Sequence, residues 1–139
     1  MNRRNLKLLA DFLSTRVVDD KFDMCSYSSL DRPPVDVDKI DCGTTACAVG
    51  WGPVVPGLSS LALHETWGDY CFRVFEVRFF TTLWDFLFSG LWYNVDNTPR
   101  GAAARIYAML ADENPDDLFN INLPLCAWDK TTYAAYLPK

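Results

Sequence analysis

One histidine, His64, is the only imidazole in this chain of 139 residues. Any catalysis by a Cys-His or Ser-His pair must therefore run through that position. No Gly-x-Ser-x-Gly elbow is present, and Gly50-Trp51-Gly52 lacks the lysine and glycine spacing of a phosphate loop. Positive charge is scarce too. Thirteen Lys and Arg against 18 Asp and Glu leave a net charge of -5, which disfavours nonspecific grip on a nucleic-acid backbone. The acids do not form the long runs of a DNA mimic either. No apolar run approaches the roughly 20 residues of a membrane span. Arg3, Arg4 and Lys7 precede Leu8-Leu9-Ala10, but Asp11 cuts that run and no small-residue cleavage site follows. A soluble, cytoplasmic protein is expected.

What is present is apolar bulk. Half the residues are hydrophobic and 14% are aromatic, enough for a dense core without disulfides or metal. A chain of this length fits one domain and buries roughly two-thirds of its unfolded surface. The five cysteines (Cys25, Cys42, Cys47, Cys71 and Cys126) are odd in number and show no paired rhythm. That fits reduced, buried thiols better than a secreted disulfide scaffold. No internal repeat or second domain is visible.

The chain reads as organised around Asp41 to Trp51, small residues closed by one indole. Thr44 or Thr45 can cap a short helix there, which Gly50, Gly52 and Pro53 stop. So little side chain makes a helix unstable alone, so Cys42 to Trp51 is expected to be buried against the Asn5–Leu13 and Pro99–Leu110 helices. Asn5 to Ser14 predicts an amphipathic helix with Leu6, Leu9, Ala10 and Leu13 on one face. Residues 25–41 read as a loop held extended by Pro33-Pro34. Leu58 to Trp67 is ambiguous. Residues 70–80 carry valines and aromatics that suit a strand, yet Phe72, Phe75 and Phe79 also fit a helical stripe. Thr81 or Thr82 predicts a helix start ahead of Leu83 to Phe88. The clearest start is Asn97-Thr98-Pro99, with Thr98 as cap and Pro99 at the first helical position. Ala103, Ile106, Tyr107 and Leu110 then form a buried stripe, with Arg100 and Arg105 expected outside. The stretch after Asp112 reads as an irregular cover. The fold class expected is mainly α, or α+β if a short β element forms around 70–80.

Candidate chemistry is thin. Cys42 and Cys47 are spaced Cys-x4-Cys, and His64, Cys71 or Cys126 would have to complete a zinc set; buried thiols without metal are the expectation. Asp31, Asp36, Asp38 and Asp41 lack the glycine and final glutamate of a calcium loop. Cys47 near a helix N-terminus would feel a field that lowers a thiol pKa. With His64 as base, oriented by Asp69 or Glu65, it is the weak catalytic candidate. The binding candidates are Arg73, Arg78, Arg100 and Arg105, two pairs that could flank an anion, with Trp92 and Tyr93 as stacking surface. No cofactor is expected.

The run Cys42-Gly43-Thr44-Thr45-Ala46-Cys47-Ala48-Val49-Gly50-Trp51 resembles the Cys-Gly-Thr-x-Ala-Cys-Ala-x-Gly-Trp signature of small uncharacterised phage and bacterial proteins. Leu6 to Leu13 with Phe22-Asp23-Met24, then Leu87-Phe88, then Asn97-Thr98-Pro99 through Ile106 resemble that family in the same order, over about residues 5 to 110. The resemblance implies a fold and a phage-like setting, and it carries over no catalytic residue. The function expected is an accessory binding protein that inhibits host antiviral defence by docking a host protein, with the Ser26–Asp41 loop and C-terminal aromatics as its surface. Binding of a small nucleotide signal, by sequestration or hydrolysis, is one alternative. A Cys/His-dependent hydrolase is the other.

Overall fold

The computed structural model describes residues 1–24 and 46–111. The Cys42–Thr45 half of the signature, the Ser26–Asp41 loop and the tail beyond Ala111 lie outside the described residues. The protein is mainly α: α1 spans Arg3–Arg16, α2 Ala48–Trp51, α3 Trp67–Phe75, α4 Thr82–Phe88 and α5 Pro99–Ala111. Among the described residues the only β pairing is an isolated parallel bridge between Phe22 and Ala46. It is closed by the Asp23 amide donating to the Ala46 carbonyl and the Ala46 amide to the Lys21 carbonyl.

Helix α1 starts where Asn2 accepts the Asn5 amide on its side-chain oxygen at 3.1 Å. It ends where the β-branched pair Val17-Val18 turns extended. Leu6, Leu9, Ala10 and Leu13 are all fully buried, as the periodicity predicts. Burying each leucine contributes about 1.5–3 kcal/mol. Helix α5 lies along this face in the most extensive helix pairing of the fold. Its Thr98 hydroxyl accepts the Gly101 amide at 3.0 Å, so the predicted cap and the predicted start at Pro99 are both observed. Gly101, Ala102, Ala103 and Ala104 keep α5 slim enough to be buried nearly all round.

That burial corrects one expectation. Arg105 does not stay outside; it is completely buried. The 3₁₀ segment Gly90–Asn94 brings Trp92 against that side of α5, and the Arg105 guanidinium lies over the Trp92 ring. At position 105 the helix is covered and offers a cation no solvent face, whereas Arg100 in the first turn stays exposed as expected.

Helix α2 is shorter than expected, four residues, all buried. It packs on α1, as expected, but its second main neighbour is α3 in place of α5. Cys47, and neither Thr44 nor Thr45, is its N-cap, and no side-chain hydrogen bond closes it. Beyond it, a side chain at Gly52 would meet the Tyr70 hydroxyl at 2.8 Å. Tyr70 thus presses on bare backbone there while donating to the Ser59 carbonyl at 2.9 Å.

Residues 70–80 resolve as helix and turn, with no strand. Thr66 caps α3 by accepting the Asp69 amide at 3.2 Å. Tyr70, Cys71, Val74 and Phe75 are then the buried face, while Phe72 and Phe79 are exposed. Glu76 ends α3 in the left-handed region (φ 56°), its amide reaching back to the Phe72 carbonyl. Leu58 to Thr66 forms turns instead of either regular element. Thr81 caps α4, as expected, by accepting the Trp84 amide at 3.2 Å.

Candidate functional site

The turn between α3 and α4 does two things with adjacent residues. Val77 is fully buried and anchors it. Phe80 then takes a left-handed backbone (φ 59°) and is 86% exposed. A bulky side chain at positive φ is an outlier costing about 1–3 kcal/mol, of the kind that clusters at functional positions. The Thr81 hydroxyl steadies the turn by donating to the Arg78 carbonyl at 2.7 Å. Phe79 stands edge-on to Phe80 with centroids 4.3 Å apart, and touches Trp84 at the same separation. The doublet thus presents two phenyl rings at the surface, Phe79 braced on Trp84 and Phe80 largely in solvent.

Beside it runs an open groove of about 660 Å³, lined by the first turn of α3 (Thr66 to Asp69), Phe72, Arg78 and Phe79. The Arg78 guanidinium lies 4.5 Å over the Phe72 ring. Among the described residues it has no ion pair or side-chain hydrogen bond. Asp69 accepts the Thr66 hydroxyl at 2.7 Å. On the far side of Phe79 and Phe80 a smaller hollow of about 240 Å³ reaches Cys47, Trp84 and Phe88.

The four arginines singled out from sequence occupy four settings. Arg73 is committed: its Nε and Nη2 donate to both Glu65 carboxylate oxygens at 2.6 and 2.7 Å, and Nη2 also to the Ser60 carbonyl. That pairing holds Glu65 below its ordinary range and Arg73 above its own. Arg100 is exposed in the first turn of α5. Arg105 is buried on Trp92. Arg78 alone among them lines the groove. Trp92 is fully buried, its indole N–H donating to the Asp85 carbonyl at 3.0 Å, so it offers no stacking surface to a ligand. Tyr93 is half exposed.

The catalytic candidates separate as well. Cys47 is buried, and burial pushes its thiol up to about 11, outweighing the nearby Gly50 and Val49 amides. A helix of four residues has too weak a dipole to reverse that. His64 is exposed on a turn at positive φ, and among the described residues no hydrogen bond joins it to Cys47. Its expected orienting partners are engaged elsewhere, Glu65 by Arg73 and Asp69 by Thr66. Among the described residues no three His, Cys, Asp or Glu side chains gather as a metal set. No described helix is long and apolar enough to cross a membrane.

Sequence reasoning missed Phe79-Phe80 as a surface feature. The available signal was the doublet itself, placed in the link just ahead of a Thr cap, where the chain turns from one helix into the next. Comparison of the chain with protein-family models, with curated proteins and with solved structures finds no match.

Proposed function

We propose that this chain is a binding domain that docks a protein of the host cell through the face formed by Phe72, Phe79 and Phe80. The observation carrying this is Phe80, held 86% exposed on a strained backbone. Aromatic side chains are enriched among the anchors of protein interfaces. The lack of an activated nucleophile in the described residues supports binding over hydrolysis: the Cys47 thiol is raised by burial and His64 stands apart from it. The resemblance to phage and bacterial proteins makes the antiviral defence machinery the first place to seek the partner. A second reading, a small nucleotide signal, is favoured by Arg78, an arginine beside an aromatic ring with no acid on it among the described residues.

The test uses Phe80→Ser, which removes the anchor without touching the core. A host protein retained by the native chain and released by Phe80→Ser, with binding reproduced from two purified components, supports docking. A phage carrying that substitution is then expected to lose growth on defended hosts. Equal retention by both forms, with unchanged phage growth, overturns the reading.

A further inference from the structure

We infer that the groove beside Phe79 reads a short acidic–apolar segment of the partner, with an aromatic or large aliphatic side chain in the groove and a carboxylate on Arg78. This rests on the docking reading and names the chemistry of the same face. Among the described residues lining the groove, Arg78 is the only cation. Its guanidinium lies 4.5 Å over Phe72, so the ring covers one face and leaves the edge N–H groups to meet a carboxylate in the fork geometry arginine favours. Arg73 cannot compete for that anion, because Glu65 already holds it through two bonds.

Asp69 sets the polarity of the segment. Its carboxylate lines the same groove, accepts the Thr66 hydroxyl and lies in the first turn of α3, where helix amides stabilise a negative charge. An acid placed near Asp69 is repelled, while one placed at Arg78 is held, so the order of apolar and acidic residues in the segment matters. The groove is open and lined by Trp67, Phe72 and Phe79. A small-molecule site encloses most of its ligand. An extended peptide needs only one apolar side chain covered, which this shape provides.

The experiment is an NMR titration of the ¹⁵N-labelled full chain, read at the amides of Gly68, Asp69 and Phe79. The probes are two capped peptides, Gly-Ser-Trp-Glu-Ser-Gly and Gly-Ser-Trp-Lys-Ser-Gly, with adenosine monophosphate alongside. The glutamate peptide is expected to move these amides at concentrations roughly tenfold lower than the lysine peptide, and Arg78→Glu to reverse that order. Equal response to the two peptides, an order unchanged by Arg78→Glu, or a stronger response to the nucleotide overturns the inference. The comparison on the native chain decides the matter even if Arg78→Glu fails to fold. Loss of the peptide preference with capture still dependent on Phe80 removes this inference alone; loss of both removes the docking reading.

Discussion

The Arg105 guanidinium carbon sits 4.1 Å from the centre of the Trp92 ring, and neither side chain is exposed to solvent. A cation on an indole face is worth about 2 kcal/mol or more once water is excluded. The same guanidinium also reaches the Met24 sulfur at 4.0 Å. Arg105 thus joins the end of the 22–24 link, the Gly90–Asn94 turn and α5. Arg105→Ala is expected to cost about 3 kcal/mol or more in urea unfolding, through cavity and lost contact together. Arg105→Met is expected to cost less, since methionine fills the volume and keeps a favourable contact with the ring.

Gly101→Ala is a second test. In an ordinary helix interior that change gains about 1 kcal/mol. Here the new methyl would lie 2.1 Å from one Asp96 carboxylate oxygen and 2.7 Å from the other. Asp96 is short, 6% exposed and bonded to the Thr98 hydroxyl at 2.6 Å, so it has little room to yield. A net loss of about 1–3 kcal/mol is expected. Thermal melts of Gly101→Ala are compared with those of Thr98→Ala, which loses both a cap worth about 1 kcal/mol and the bond to Asp96 without any steric clash.

Stability against pH follows from the ion pairs. Glu65 lies below its ordinary 4.5 because Arg73 bonds it. In Asp11, burial opposes ionisation but is outweighed by bonds from Lys7 and Tyr107, leaving it below 3.8. Groups depressed on folding stabilise the fold above their unfolded values and lose that contribution as pH falls through the folded ones. Chemical unfolding is therefore expected to become easier below about pH 4.5, and Glu65→Gln to flatten that slope. Tyr107 runs the other way. Burial and the Asp11 bond push it up from 10 to about 12, so its contribution is intact below pH 10 and disappears between the two values. Tyr107→Phe is expected to lessen the alkaline loss, leaving the part that the buried Cys47, Cys71 and Tyr70 contribute.

Thiol labelling tests whether Cys47 can serve as a nucleophile. Cys47 and Cys71 are both buried, and burial raises both thiols. Iodoacetamide on the native chain, followed by peptide mass spectrometry, is expected to leave both unmodified, with full labelling in denaturant. Rapid native alkylation at Cys47 would restore the hydrolase alternative.

Helix starts were legible because capping is local chemistry. Asn97-Thr98-Pro99 and Thr81 each place a hydroxyl and the following backbone in the right order without help from the rest of the fold. Residues 70–80 were not, because valines and aromatics serve both periods. What decides is the Thr66 cap at one end and the left-handed Glu76 at the other, and neither contributes to a hydrophobic pattern. Arg105 was misplaced because burial of a long cation depends on a ring thirteen residues away, a fact of packing. The groove was half legible: Arg78 was named, but Phe72 and Phe79 read only as part of a stripe open to helix or strand, and Trp67 was not singled out. Whether an aromatic faces inward depends on how the chain turns at Val77 and Phe80, and the spacing of residues does not encode that.

The pairing of α1 with α5 has a consequence for how the chain comes to be folded. The bond from the Tyr107 hydroxyl to Asp11 closes a separation of 96 residues, and Arg3 reaches the Leu110 carbonyl across 107. During synthesis the leucine face of α1 is made well before its main cover. Of its native neighbours, α2 and α3 emerge earlier than Pro99, but they cover α1 far less extensively than α5 does. Folding of this small helical chain is then expected to be slower than its helix content suggests, governed by closure of its longest loop. Until that closure the sticky face of α1 is open to other chains.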